Sequence, residues 1–315
     1  MARISTPLLT REVLAAVAAA RARGQTEWVG SLDLGRSEER IALCESGFRW
    51  RGQHYPWPDM PRERTVLHWD GRGFAPVQRF SGALIKLVPT VWGAPTFEID
   101  GIKMLPTARI SPWEDARRKV ALVEPAGKRI LDCCGGLGYY AAWCLAGGAL
   151  RVDSFEKHPD VLWLRRLNPW SPDPEDPDTA GRLVLAEADI ARHIASLPSA
   201  SWDAALHDPP RFGIAGELYA QDFYDQLARV LRPGARLFHY TGQPNALSHR
   251  RDLPGEVIRR LQRAGFVAER RLDGVLAALP AGGGPGRGRS RQTHSASAAR
   301  MKSRARSASS GWSRA

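Results

Sequence analysis

The sequence predicts an α/β protein whose main domain is a mostly parallel sheet covered by helices, and three observations carry that reading. First, strand-like and helix-like stretches alternate five times between residues 129 and 264. Strands are predicted at 129–132, 150–156, 182–188, 202–207 and 235–240, with helices at about 139–147, 159–167, 189–196, 217–231 and 254–264. Second, the run from Lys128 to Ala142 passes from the apolar pair Ile130-Leu131 into Asp132, then through glycines at 135, 136 and 138 into an alanine-rich helical stretch. A strand, a tight glycine turn and a helix in that order open a nucleotide-binding βαβ unit, because the turn brings the backbone and the helix N-terminus close to a ligand. Third, Phe266 to Asp273 and Val275 to Leu279, joined at Gly274, read as an antiparallel hairpin that closes the sheet at about residue 280.

The segment before this domain has a different texture. Thr10 to Arg23 predicts one helix, rich in alanine and ended by Gly24. From there to about residue 107 the apolar runs are short and β-prone: 28–34, 40–44, 65–69, 83–88 and 96–99. Prolines and glycines separate them, with hairpin turns expected at Asp70-Gly71 and Asp100-Gly101. Residues 1–107 are therefore expected to form a small, mostly β domain. Trp28, Trp50, Trp57, Trp69, Trp92 and Trp113 are read mainly as core, although such rings also stack on nucleic-acid bases. Ser111-Pro-Trp-Glu114 marks a helix start, with a serine cap, proline at the first position and glutamate three residues on. That helix leads into the sheet domain, 108–280.

Composition narrows the partners. The chain of 315 residues is 43% hydrophobic and 25% charged, as ordinary globular proteins are. Its net charge of +12 is uneven: residues 281–315 hold eight basic residues and no acid, which leaves +4 for residues 1–280. This tail of glycine, serine, alanine and arginine cannot bury enough apolar surface to fold, so it is expected to be a disordered basic extension. Nucleic-acid contact is a role open to it. Four cysteines, two of them adjacent and none in a C-x-x-C pair, give no disulfide framework and no zinc or other metal site, and suit a reducing cytoplasm. The apolar run Val13 to Ala20 is flanked by charges and too short to span a bilayer, so no membrane association is expected.

Two carboxylates flank the glycine turn. Asp132 ends the first strand, and Glu156 ends the second, 18 residues after Gly138, where an acid can accept both hydroxyls of a ribose. A dinucleotide fingerprint would need a third glycine near Ala141 and lacks it. The pattern resembles the class I S-adenosylmethionine (SAM)-dependent methyltransferases, a Rossmann-like fold with a seven-stranded sheet, whose first motif reads D-x-G-x-G-x-G. Here Asp132, Gly136 and Gly138 match, and Cys134 replaces the first glycine. The resemblance implies that Asp132, Cys134, Gly136, Gly138 and Glu156 bind SAM. It also implies that Asp189, after the third strand, lies beside the adenine, a position equally suited to a helix cap.

After the fourth strand stands His207-Asp-Pro-Pro-Arg-Phe212. In methyltransferases acting on an amino nitrogen, a D/N-P-P-aromatic turn accepts hydrogen bonds from the acceptor. The resemblance therefore implies acceptor-facing roles for Asp208, Pro209 and Arg211, with Arg211 in place of the aromatic residue. His207 and His239, at strand ends, could take a proton from the acceptor or be bonded within the strand ends.

Longer strings strengthen the likeness. Phe97 to Met104, Asn168-Pro-Trp-Ser171, His207 to Phe212, Ala215 to Tyr219, Phe223-Tyr224 and Phe238 to Gly242 resemble a methyltransferase family best known from archaea, over roughly residues 97–270. That family lends fold and cofactor but no acceptor. It is also similar to the spermidine synthases, and Asp100-Gly101 followed by Glu114-Asp115 fits their layout, although those enzymes place a pair of acids where Asp208 is followed by two prolines. The expected activity is methyl transfer from SAM to a nitrogen of an RNA base or a small amine. Aminopropyl transfer from decarboxylated SAM to a polyamine is the alternative, and a non-catalytic RNA-binding role is disfavoured by the intact acids. The oligomeric state stays open, a dimer included.

Overall fold

A computed structural model describes residues 5–213, 215–242 and 252–282; the expected tail lies almost wholly outside the described residues, as do its eight basic residues. Seven strands form the main sheet: β1 (Arg129–Asp132), β2 (Arg151–Glu156), β3 (Leu183–Glu187), β4 (Trp202–His207), β5 (Leu231–Tyr240), β6 (Val267–Arg271) and β7 (Gly274–Ala278). Their order is β3-β2-β1-β4-β5-β7-β6. The first five are parallel and β7 runs antiparallel to both its neighbours. The strand order reverses between β1 and β4, so the crevice outside their carboxyl ends is where a doubly wound sheet takes its ligand.

The alternation of side chains along β1 shows why the sheet needs helices on both faces. Ile130 packs into one apolar cluster with Val152, Ala204, Leu206 and Phe238. Leu131 packs into another, on the opposite face, with Phe155, Ala205 and Leu237. Helices α1 (Arg11–Ala22), α2 (Pro112–Ala121), α3 (Tyr139–Ala146), α4 (Pro159–Leu167), α5 (Ile190–His193), α6 (Gln221–Val230) and α7 (Leu253–Arg263) supply the rest. None of the described helices is long and apolar enough to cross a membrane.

Most expected elements form within a residue or two of their predicted ends. Three differ. The strand expected from residue 235 begins at Leu231, and its register against β4 shifts between Trp202 and Ala204, around Pro233-Gly234. The helix expected over 217–231 is a 3-10 turn at Gly216–Tyr219 followed by α6. The helix expected over 189–196 is the single turn α5 continued by a 3-10 turn.

Residues 8–103 form three small antiparallel sheets and hold α1, which follows the short first strand Leu8–Leu9 and whose Thr10 cap accepts from the Val13 amide. Hairpins form at Asp70-Gly71 and Asp100-Gly101 as the sequence predicts. A further hairpin, Gly47–Trp50 with Gln53–Pro56, was not among the expected strands. Its Phe48, Trp50 and Tyr55 pack with Trp57, Trp69 and Phe74 as an aromatic core, which accounts for these tryptophans as packing groups. The change from antiparallel to parallel structure falls near residue 107, yet one apolar cluster crosses it: Val66, Val77, Ile85, Leu87 and Phe97 share a core with Val152, Val161 and Leu164.

Ser111 caps α2 by accepting from the Glu114 amide at 3.0 Å. The Asn168-Pro-Trp-Ser171 string has a packing role. Buried Asn168 donates to Tyr139 Oη and Ser171 Oγ, Tyr139 donates to the Pro95 carbonyl, and Ser171 donates to the Leu137 carbonyl. These bonds fasten the 93–99 strand to the loop after β1.

Candidate active site

The glycine loop rests on a buried polar stack. Asp132, at the end of β1, is buried, and its Oδ2 accepts from Ser154 Oγ at 2.7 Å. Arg165 of α4 reaches under the loop and donates from Nη1 to the same Ser154 oxygen at 3.1 Å. A Cβ on Gly138, whose φ is +80°, would lie 2.5 Å from the Arg165 Cζ. Glycine at 138 is thus required both by its backbone conformation and by close approach to a side chain of the protein itself. Gly136 differs: its φ is +48°, and a Cβ there would meet only the Phe97 ring at ordinary contact distance.

Glu156 closes the loop from the end of β2. Its Oε2 accepts from the Gly136 amide at 3.0 Å and its Oε1 from the His158 amide at 2.9 Å. Burial raises the Glu156 pKa, and these two N–H groups and Arg165 oppose the rise. Burial also pushes Asp132 up to about 6, with Ser154 and Arg165 opposing. Among the described residues, Asp132 Oδ1 and Arg165 Nε and Nη2 are buried without hydrogen-bond partners. A loop with an open Gly136, an acid beside it and unpaired polar atoms beneath fits a nucleoside ligand with a polar amino-acid end. Half-buried Cys134, in the loop itself, has its pKa raised by burial, then by Cys133, Glu156 and Asp208.

Asp208 follows β4 on that other side. Burial lifts its carboxyl to about 7; Lys119 opposes the rise, and the carboxylates of Asp115 and Asp273 add to it. The turn is pinned from outside: Tyr219 Oη donates to the Pro210 carbonyl at 3.1 Å. Pro209 is buried beside Asp208, whereas Arg211 stands exposed at the rim with its carbonyl accepting from Ala215.

No protein-family model matches the chain. A relative with 41% identity over 201 residues is the uncharacterized protein MJ1233 of Methanocaldococcus jannaschii, and the match spans 62% of this chain and 67% of that protein. The chain belongs to the family of that archaeal protein. A segment of 134 residues is 34% identical to polyamine aminopropyltransferase 2 of Streptomyces coelicolor, covering 40% of this chain and 24% of the relative. Two solved structures share the fold. One is a spermidine synthase in complex with the transition-state analogue AdoDATO, with a TM-score of 0.51 and 15% identity over 65% of this chain and 73% of that one. The other is the spermidine synthase of Thermotoga maritima, with a TM-score of 0.50 and 13% identity over 81% and 80%.

Within this family member the two strand-end histidines face away from the crevice. His207 is 0% exposed and packs against Phe223 and His239 among the residues of α6. Its Nε2 lies 3.0 Å from the Leu218 carbonyl, which can only accept, so Nε2 carries the proton. Burial holds its pKa down at about 4. His239 shows its Nδ1 to the Tyr240 carbonyl and its Nε2 to Tyr224 Oη at 2.9 Å. The proton-accepting role expected of His207 therefore gives way to a packing role behind the Asp208 turn. Asp189 lies two residues beyond β3, and its Oδ1 accepts from the Ala191 amide, so it caps α5. That is the second of the two roles its position allowed.

The sequence reading missed Lys119, Asp273 and Tyr140, which surround Asp208. Lys119 of α2 is 1% exposed; its Nζ donates to Asp115 Oδ2 at 2.7 Å, pairs with Asp273 Oδ2 at 3.1 Å and sits 4.2 Å from the centre of the Tyr240 ring. Tyr240 ends β5, in register one step beyond the His207–His239 pair, so it is the neighbour of Asp208. Tyr140 of α3 joins them. Its buried hydroxyl faces the Asp208 carboxylate, to which it can donate, and has no other partner among the described residues. Arg165 and Ser154 were missed as well. The i,i+4 spacing of Asp115 and Lys119 was the one local signal, and on a helix it reads as a surface pair.

Proposed function

We propose that this protein is a SAM-dependent methyltransferase, active in the cytoplasm, that methylates an amino nitrogen of an RNA base or a small amine. The observation that carries the reading is the placement of two different carboxylates on the strands flanking β1. Glu156 on β2 is bonded to the glycine loop, and Asp208 after β4 is lifted to about 7. SAM supplies a methyl group activated by attachment to a positively charged sulfur.

The chain's own residues bind, orient and move a proton. Gly136 leaves room for the methionine part, Glu156 is placed to accept from the ribose hydroxyls, and Asp132 has a free oxygen for an amino group directly or through water. Asp208 accepts a hydrogen bond from the acceptor nitrogen and takes up its proton, which a carboxylate titrating near neutrality does well. Pro209 and Pro210 hold that carboxylate in place, so most of the rate enhancement comes from positioning.

Aminopropyl transfer is the second reading. It is favoured by Asp115 and Asp273 beside Asp208 and by the partial likeness to a polyamine aminopropyltransferase. Incubation with labelled SAM and, separately, labelled decarboxylated SAM, followed by mass analysis of the products, separates the two. Label transferred only from decarboxylated SAM would sink the methyltransferase reading. The basic tail is proposed as a nucleic-acid contact, tested by whether RNA affinity falls steeply with salt and is lost without residues 281–315.

A further inference from the structure

The crevice next to Asp208 carries more negative charge than a neutral acceptor needs. Asp115, Asp208 and Asp273 converge there, and among the described residues one buried cation, Lys119, answers them, with the exposed Arg118 acting on Asp115 from outside. Lys119 is already held by two of the three, at 2.7 Å from Asp115 and 3.1 Å from Asp273. The groups facing Asp208 come from every side: Lys119 and Asp115 from α2, Asp273 from the β6–β7 turn, Tyr140 from α3, Tyr240 from β5 and Tyr219 from the 3-10 turn. Two of these groups carry buried oxygens with hydrogen-bonding capacity to spare. Asp273 Oδ1 has no partner among the described residues, and the Tyr140 hydroxyl, on a residue 8% exposed, faces only Asp208, to which it can donate while its lone pairs stay free. An uncompensated acidic cleft and unpaired oxygens in a buried site are costly unless a ligand with N–H donors and positive charge completes them.

We propose that the acceptor is a small alkylammonium, whose charged nitrogen sits against Asp208 and Asp273 and donates to the Tyr140 hydroxyl. This rests on the reading of the glycine loop as a donor site and decides between the two acceptor classes left open there. An exocyclic amine of a base is neutral and would leave the carboxylates unbalanced, and a phosphate backbone would add charge of the wrong sign. In the bound state the nitrogen gives one proton to Asp208 before it can act as a nucleophile. Lys119 does not compete for that proton, because its neighbouring carboxylates hold it charged.

The test is calorimetric titration of the full chain with 1,4-diaminobutane near neutral pH, in two buffers of different ionisation enthalpy, with S-adenosylhomocysteine titrated separately. The expected result is diamine binding that weakens with salt and releases protons, since a bound cation favours the ionised form of Asp208. Uncharged 1,4-butanediol does not bind, and Asp273→Asn weakens the diamine by about tenfold. Tyr140→Phe keeps the buried ring, loses only the hydroxyl and weakens the diamine several-fold, which serves if Asp273→Asn fails to fold. S-adenosylhomocysteine binding with no diamine binding overturns the inference alone, as does tighter binding of adenosine or short single-stranded RNA than of the diamine. Failure of S-adenosylhomocysteine to bind overturns the donor reading itself.

Discussion

The backbone amide of Gly136 donates a 3.0 Å hydrogen bond to Oε2 of Glu156 and thereby ties the loop after β1 to the end of β2. The same carboxylate holds the His158 amide at its other oxygen, so Glu156 is oriented before any ligand arrives. An acid fixed in this way loses little freedom on binding, which raises the share of its hydrogen-bond energy that appears as affinity.

Removing that carboxylate weakens donor binding without unfolding the sheet. Glu156→Gln keeps one acceptor for the two amides but loses the charge. It is expected to weaken S-adenosylhomocysteine binding by about 1.5–3 kcal/mol, the range for hydrogen bonds to charged groups. Calorimetry reads the affinity and circular dichroism the fold. An unchanged affinity would place the ribose elsewhere.

Arg165 is expected to govern stability more than affinity. Its guanidinium, buried under Gly138, bonds Ser154 and opposes the rise in the Asp132 pKa. Arg165→Met leaves Asp132 as a buried acid without its cation, at a cost of about 3–5 kcal/mol in unfolding free energy. Adding Asp132→Asn to that background recovers part of the loss, because the charge in need of a partner is gone. Denaturant unfolding of the single and double variants measures both steps, and additive losses would refute the coupling.

In the proposed reaction the pH dependence is set by Asp208. Its carboxyl titrates at about 7 and must be ionised to accept a proton, so activity rises with pH through neutrality. Asp208→Asn removes the ascending limb and lowers turnover by about 10²–10⁴-fold. Lys119→Met removes the cation that favours ionised Asp208, so the limb moves to higher pH. A limb unmoved in the Lys119 variant would show that Asp208 is not the group titrating.

The donor half of the site was legible in the sequence because it is local. Asp132, Gly136, Gly138 and Glu156 fall in two neighbouring strands and the loop between them, and the glycine pattern fixes their order. The acceptor half was not, apart from the Asp-Pro-Pro turn. Lys119 and Asp273 meet across more than 150 residues, and each alone has an ordinary reading, one as a helix-surface cation and one as a turn residue. Topology held the missing signal: β5 and β7 are antiparallel, with Tyr240 opposite Gly274, so the turn carrying Asp273 must lie at the same sheet edge as Asp208. His207 misled for a related reason. A strand end places a residue at the right height but leaves either face open, and the period of two sends His207 to the face of Leu131 and Leu237.

That burial makes His207 a stability element with a defined pH signature. Its folded-state pKa of about 4 lies below the ordinary 6.5, so between those values the unfolded chain binds the extra proton and acidification favours unfolding. Asp132 and Asp208 act with the opposite sign, since their folded-state values of about 6 and about 7 exceed the ordinary 3.8 and acidification through that range favours the folded state. The wild-type curve mixes these contributions, so the test must be a difference. His207→Gln preserves an N–H for the Leu218 carbonyl and does not titrate. The stability advantage of wild type over this variant should therefore shrink by about 2 kcal/mol when pH is lowered from about 7 to about 5. Urea unfolding of both proteins at the two pH values checks it. A difference that does not change with pH would mean that His207 titrates normally in the folded protein and is not the neutral, buried donor that the Asp208 turn leans on.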